Sequence, residues 1–160
     1  MSSLTFYDAE VCPYAQRTRI LLHIKNVEHD VVLLDIDDKP DWFMSKTPAG
    51  RVPVIEHEGR TLWESAVINE YIDAVFPGPR LMPDDEYQRA LIRIENRHFD
   101  QVFLPMFYKL LFEQDANQQD IERDQVVGGL RFLEQRLEAL QSDGGSYWLG
   151  RSLTMADINM

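Results

Sequence analysis

The stretch Leu4-Thr5-Phe6-Tyr7-Asp8-Ala9-Glu10-Val11-Cys12-Pro13-Tyr14-Ala15-Gln16-Arg17 decides how the rest of the chain is read. Residues 4–7 read as a short strand. Pro13 then fits the first position of a helix, where a backbone N–H would be unpaired in any case. Cys12, the single cysteine of the 160-residue chain, falls at the N-cap. A thiol there faces unpaired N–H groups and the positive end of the helix dipole, a setting that favours thiolate. On these residues alone Cys12 is a nucleophile or the inert, buried small hydrophobe that most free cysteines are. Ala15 denies it a second thiol within the turn. A redox cycle through Cys12 therefore needs an external thiol.

Outward from this junction, Pro13–Lys25 reads as a helix burying Ala15, Leu21, Leu22 and Ile24, with Asn26 as a left-handed end. His29–Leu34 is a β-branched run and so a second strand. Strand, helix and strand within about 30 residues predict a βαβ unit with a right-handed crossover. Asp35–Pro40 is an acidic loop. Asp41–Lys46 predicts one helical turn with Trp42 and Phe43 folded onto the body. Val52–Ile55 begins a strand with Pro53 near its start. Glu58-Gly59 turns the chain into Arg60–Trp63 as a hairpin partner. Ser65 is the expected N-cap of a further helix whose buried side carries Ala66, Ile68 or Asn69, Ile72, and Val75 or Phe76.

The character changes after Phe76. Residues 1–76 form the expected α/β domain, 77–86 a Pro- and Gly-rich linker, and 87–160 an all-α domain. Tyr87–Gln114 is read as one long helix interrupted at Pro105, with Leu91, Phe99, Val102, Phe103, Met106, Phe107, Leu110 and Leu111 as its apolar positions. Asp120–Leu140 is a second helix with Val126, Val127, Leu130, Leu133, Leu137 and Leu140 inward. Gly128-Gly129 inside it predicts a close helix approach or a kink. Ser142–Ser146 is a loop. Leu153-Thr154-Met155-Ala156-Asp157-Ile158 has the form of a capping box with a hydrophobic staple. It announces a helix at the very end of the sequence, so the helical domain reads as truncated.

Composition narrows the function classes. The net charge is −11, which disfavours nonspecific binding to nucleic acid or anionic membrane. A protein partner with a basic patch stays open. No apolar run reaches membrane-spanning length. The N-terminus lacks the basic start and apolar run of a secretion signal, and a lone cysteine suits a reducing compartment. The expected location is cytoplasmic. His23, His29, His57 and His98 share no metal-ligand spacing, so no metal is assigned.

Four further features accompany Cys12. A cis bond at Val52-Pro53 would turn the Val52 N–H and C=O outward to pair with an extended peptide, whereas a trans bond would make Pro53 an ordinary edge proline. Glu64-Ser65 at a helix start could take the carboxylate and ammonium of a free amino-acid head group, or be a plain cap with a solvated Glu. Lys39 and Arg51 are loop cations that could meet a second carboxylate or simply be solvated.

Together these residues resemble the glutathione transferase superfamily, its omega-like, cysteine-type members above all. The carriers are Cys12-Pro13-Tyr14-Ala15-Gln16-Arg17-Thr18-Arg19, Lys39-Pro40-Asp41-Trp42-Phe43, Pro48-x-Gly50-x-Val52-Pro53-Val54, Glu64-Ser65 and Leu81-Met82-Pro83-Asp84-Asp85. The resemblance implies a thioredoxin-like N-terminal domain before an all-α domain, with glutathione as cofactor. It implies that Cys12 meets the glutathione sulfur and Val52, before a cis Pro53, pairs with the cysteinyl backbone. Glu64 and Ser65 would hold the γ-glutamyl head, Lys39 would meet the glycyl carboxylate, and Tyr14 would line the site. The role of Arg51 is open. Omega-like members favour thiol transfer and dehydroascorbate reduction through a glutathionylated cysteine, on a small disulfide or electrophilic substrate, and homodimers are usual in the family. Leu62-Trp63-Glu64-Ser65, Leu81-Met82-Pro83 and Arg93-Ile94-Glu95 also resemble stringent starvation protein A, a noncatalytic RNA polymerase-binding relative. A reactive thiol at position 12 separates the two readings. Phe103, Phe107 and Tyr108 read as helix core before they read as part of a second-substrate pocket.

Overall fold

The computed structural model describes residues 4–141 and 144–160. The chain divides into two compact units, Met1–Met82 with Asn159, and Pro83–Ile158 with Met160.

The first unit is a mixed four-stranded sheet with helices on both faces. Its elements in order are β1 (Leu4–Asp8), α1 (Pro13–Ile24), β2 (Asp30–Leu33), α2 (Asp41–Met44), β3 (Val54–His57), β4 (Arg60–Trp63) and α3 (Ser65–Val75). The strand order is β2-β1-β3-β4. β1 and β2 are parallel, as the crossover through α1 requires, and β3 and β4 are antiparallel additions. The β3–β4 hairpin turns on Glu58 at φ 52° and Gly59 at φ 73°, the pair of left-handed residues whose twist matches the flanking strands. Alternation along β1 and β3 puts Leu4, Phe6 and Ile55 on one face. These side chains, Leu21 and Leu22 of α1, and Ile68 and Ile72 of α3 are essentially inaccessible to solvent. Each contributes about 1.5–3 kcal/mol by burial.

The opposite face carries α2. The Tyr7 ring lies 5.7 Å from Phe43 and 6.1 Å from Trp42. The Tyr7 hydroxyl donates to Glu56 Oε2 at 2.5 Å, and Lys46 Nζ meets Glu56 Oε1 at 2.6 Å. Phe43 is buried as expected, but Trp42 stays half exposed. A single turn can direct only one of two adjacent side chains at the sheet. The β3 strand begins at Val54, one residue after Pro53, because Pro has no N–H for the ladder. Ile24 is only half buried, the inner position at that turn going to Lys25.

A buried ion pair closes this unit. Lys25 Nζ donates to Asp73 Oδ1 at 3.1 Å, to the Asp73 carbonyl at 3.2 Å and to the Pro79 carbonyl at 3.0 Å. Asp73 also accepts the backbone N–H groups of Leu81 and Met82, each at 3.0 Å. Residues 79–82, read from sequence as linker, are thus fastened to α1 and α3. Gly78 at φ 113° makes the approach possible, since a Cβ there would come within 3.3 Å of the Lys25 backbone.

The second unit is helical: α4 (Glu86–His98), a π-helical turn (Phe99–Phe103), α5 (Leu104–Phe112), α6 (Ala116–Leu140) and α7 (Met155–Asn159). The irregularity precedes Pro105 rather than falling on it. Pro105 has no N–H for the Gln101 carbonyl four residues back, and the ladder widens just before it, with Leu104 N–H donating to the Phe99 carbonyl. α6 starts four residues before the expected Asp120 because Asp115 caps it, accepting from Asn117 N and Gln118 N. The close approach expected at the two glycines belongs to Gly129, where a Cβ would lie 3.0 Å from Met106 Cε and Phe103 Cδ2; Gly128 faces open space. Phe107, Val127 and Leu130, expected inward, are exposed, as are the apolar Val102 and Leu111. Periodicity identifies an apolar face and says nothing of what covers it. At Thr154 the capping box forms in both directions. The Ser142–Ser146 loop lies partly outside the described residues. Among the described residues no helix is long and apolar enough to cross a membrane.

Candidate functional site

Strand register gathers the candidates at one end of the sheet. Asp8 pairs with Leu33, Tyr7 with Val54, and Val54 with Trp63. The C-terminal ends of β1, β2 and β4 and the start of β3 therefore share an edge. Cys12 follows β1, Lys39 lies in the loop after β2, Arg51, Val52 and Pro53 lead into β3, and Glu64 and Ser65 follow β4. This is the end at which open α/β sheets bind ligands.

Cys12 is the N-cap of α1, buried, with its amide donating to the Ala9 carbonyl at 3.0 Å and its own carbonyl accepting from Gln16 N at 2.9 Å. Its side chain caps nothing; the thiol instead points at the Val52 carbonyl, Sγ to O 3.8 Å. The Val52–Pro53 peptide is cis. The cis bond is one of the two alternatives left by the sequence, but the expectation of two outward-turned groups needs correction. The Val52 carbonyl is turned to Cys12, and only the Val52 N–H is without a hydrogen-bond partner among the described residues. Tyr14, half buried, has the Arg17 guanidinium 5.0 Å above its ring.

At α3 the expected cap moves by one residue. Glu64 is the N-cap and Ser65 the first helical residue. Glu64 adopts φ 71°, ψ 109°, outside every region a non-glycine residue favours. Such a residue costs about 1–3 kcal/mol and concentrates where function fixes the backbone. Its side chain stays in solvent while Ser65 is buried. The pair thus offers an exposed carboxylate beside the N–H groups of an eleven-residue helix. Lys39 is half exposed, and Nζ donates to the nearby Ile36 carbonyl at 2.6 Å. Arg51 is exposed. Lys39 is therefore held in its own loop, and Arg51 is the freer cation. The donor set matches a ligand with a thiol, an extended backbone, an amino-acid head and a second carboxylate. Among the described residues no three His, Cys, Asp or Glu side chains group to hold a metal ion.

Sequence reasoning missed Asp8 and Arg19. Arg19 Nε and Nη2 meet the two Asp8 carboxylate oxygens at 2.9 and 2.8 Å, directly behind the Cys12 loop. The signal was present in Arg19 itself, two turns into α1, whose side chain leans back toward the helix start. Charge shifts near the sheet have local causes. Lys46, then Tyr7, hold the Glu56 carboxyl below its ordinary value, and Glu56 holds Lys46 above its own. Asp8 raises Arg19 in the same way.

The family model described as glutathione S-transferase, N-terminal domain, matches residues 11–75. Glutathione S-transferase omega-1 of Sus scrofa is 44% identical over 85 residues, 52% of this chain and 35% of that protein. Probable glutathione transferase omega-2 of Caenorhabditis elegans is 32% identical over 143 residues, 88% of this chain and 56% of that protein. The crystal structure of glutathione transferase Omega 3C from Trametes versicolor superposes with a TM-score of 0.84 at 29% identity, covering 98% of this chain and 65% of that one. A glutathione S-transferase from Methylobacillus flagellatus with GSH bound superposes at 0.80 and 26% identity, covering 98% of this chain and 78% of that one. The chain spans 35% of the first of these curated relatives and 56% of the second.

Proposed function

We propose that this chain, which belongs to the glutathione transferase superfamily through its N-terminal domain, is a glutathione-dependent thiol transferase of the omega-like, cysteine type. The observation that carries the reading is the Cys12 thiol at the start of α1, beside the cis Val52–Pro53 peptide and the Val52 N–H, which has no partner among the described residues. The Val52 N–H pairs with the cysteinyl carbonyl of glutathione. The Glu64 carboxylate takes the γ-glutamyl ammonium, and Ser65 with the N–H groups of α3 takes its carboxylate. Lys39 and Arg51 are the cations available to the glycyl carboxylate, and Tyr14 lines the site.

The chemistry is covalent and ping-pong. The Cys12 thiolate attacks the glutathione sulfur of a mixed disulfide. A bond forms between Cys12 Sγ and that sulfur, the old S–S bond breaks, and the substrate leaves as a thiolate that takes a proton. A second glutathione thiolate then attacks the same sulfur, giving oxidised glutathione and free Cys12. Ala15 supports this route, because no neighbouring thiol can resolve the intermediate. With dehydroascorbate the two electrons come from two glutathione molecules. A cytoplasmic setting, reducing enough to keep glutathione available, fits the lone cysteine.

The test is thiol transfer from a glutathione mixed disulfide by the wild type and Cys12→Ala. Loss of activity in the variant, with a glutathione adduct on wild-type Cys12 by mass spectrometry, is expected. Equal rates in the two proteins would sink the assignment.

A further inference from the structure

We propose that Arg19 is a positioning residue for Cys12, clamping the β1–α1 loop at the carbonyl that holds the Cys12 amide. The proposal rests on the reading of Cys12 as the reacting thiol. Its structural basis is a short chain of bonds. The Ala9 carbonyl accepts the Cys12 N–H at 3.0 Å and Arg19 Nη2 at 3.4 Å. The same guanidinium grips both oxygens of the Asp8 carboxylate. Asp8 is buried at the end of β1, and its carbonyl accepts Leu34 N at 2.8 Å. The fork therefore ties α1 to the sheet across the three residues that precede Cys12.

Geometry makes arginine specific here. A planar guanidinium can hold a carboxylate with two parallel bonds and still present an N–H to a neighbouring carbonyl; an ammonium is a point donor that cannot span both. Asp8 is the first charge that acts on Arg19 and Cys12 the last, and the contact Arg19 makes toward Cys12 runs through the Ala9 carbonyl. The effect of Arg19 on catalysis is thus one of placement, and it falls on turnover more than on glutathione binding.

Arg19→Gln, Arg19→Lys, Asp8→Asn and Cys12→Ala test this in two ways. Amide hydrogen exchange of the first three reads the clamp directly. In Arg19→Gln the Cys12 amide is expected to exchange about tenfold faster while Phe6 and Leu22 amides keep their wild-type protection, a local opening that general destabilisation does not mimic. In thiol transfer kcat is expected to fall about tenfold, with KM for glutathione within about twofold. Arg19→Lys recovers part of the loss, and adding Asp8→Asn to Arg19→Gln makes it no worse. Unchanged Cys12 exchange in Arg19→Gln overturns the clamp. Faster exchange with unchanged kcat, where Cys12→Ala is inactive, overturns the positioning role alone. Full activity in Cys12→Ala overturns the catalytic reading and the positioning role together.

Discussion

Replacing Asp73 by Ala removes the centre of the buried network that closes the first unit. The carboxylate is 1% exposed, and it accepts Lys25 Nζ, Leu81 N and Met82 N at 3.0–3.1 Å. The substitution leaves an ammonium, itself fully buried, with two carbonyls and no counter-charge. It also leaves two backbone N–H groups without partners. Breaking a buried pair from one side costs about 3–5 kcal/mol, and each orphaned N–H adds about 1–3 kcal/mol where water cannot reach it. The two costs overlap, because relaxation that admits water to one relieves the others. The expectation is a loss of about 4 kcal/mol, a large share of the 5–15 kcal/mol typical of a folded protein. The double variant Lys25→Met with Asp73→Ala removes the stranded charge and keeps only the orphaned N–H groups, so it is expected to regain about half of the loss. Urea unfolding followed by far-UV circular dichroism measures this through the midpoint, provided the slope is unchanged. A midpoint for Asp73→Ala equivalent to less than about 1 kcal/mol of destabilisation would refute the argument. So would a double variant less stable than the single.

Two further outcomes follow from the packing. Glu56 is held below its ordinary carboxyl value, first by Lys46, so its contribution is present above the unfolded value and is lost as pH falls through the folded one. Lys46→Met is therefore expected to flatten the fall in urea midpoint below about pH 4.5, and an unchanged acid limb would count against the pair. Gly128→Ala, into open space, is expected to raise stability by about 1 kcal/mol through helix propensity. Gly129→Ala is expected to gain less or to lose, since its Cβ meets Phe103 and Met106 at 3.0 Å; equal gains at the two sites would contradict the close approach.

Features set within a few residues were legible in the sequence. Pro13 placed Cys12 at a helix start, Glu58-Gly59 set the hairpin register, and Thr154 with Asp157 gave the capping box. Register then carried local signals a long way. Once β1, β3 and β4 pair as they do, Cys12, Val52–Pro53 and Glu64–Ser65 must share one end of the sheet. What stayed hidden depends on partners distant in sequence or on the backbone's own path. Asp73 lies on the buried stripe with Ile68, Asn69 and Ile72, yet nothing in the sequence names Lys25 as its partner. Ser65 looked like the cap because its hydroxyl suits that role, but the strained Glu64 takes the position.

The same division explains why Arg19 escaped notice although Cys12 did not. A thiol at a helix start advertises itself by residue type and neighbour. The groups that fix its position are an arginine two turns away and a buried aspartate at the end of the preceding strand, ordinary residue types that form no motif of their own. Their meaning arises only because the β1–α1 loop brings the Asp8 carboxylate and the Ala9 carbonyl within reach of one guanidinium. On the proposed reading, reactivity at Cys12 is therefore a property of two layers. The helix start sets the sulfur against the Val52 carbonyl, and the clamp behind it decides whether the two hold a fixed relation. Loss of the first layer should abolish chemistry, whereas loss of the second should slow it while leaving glutathione binding in place.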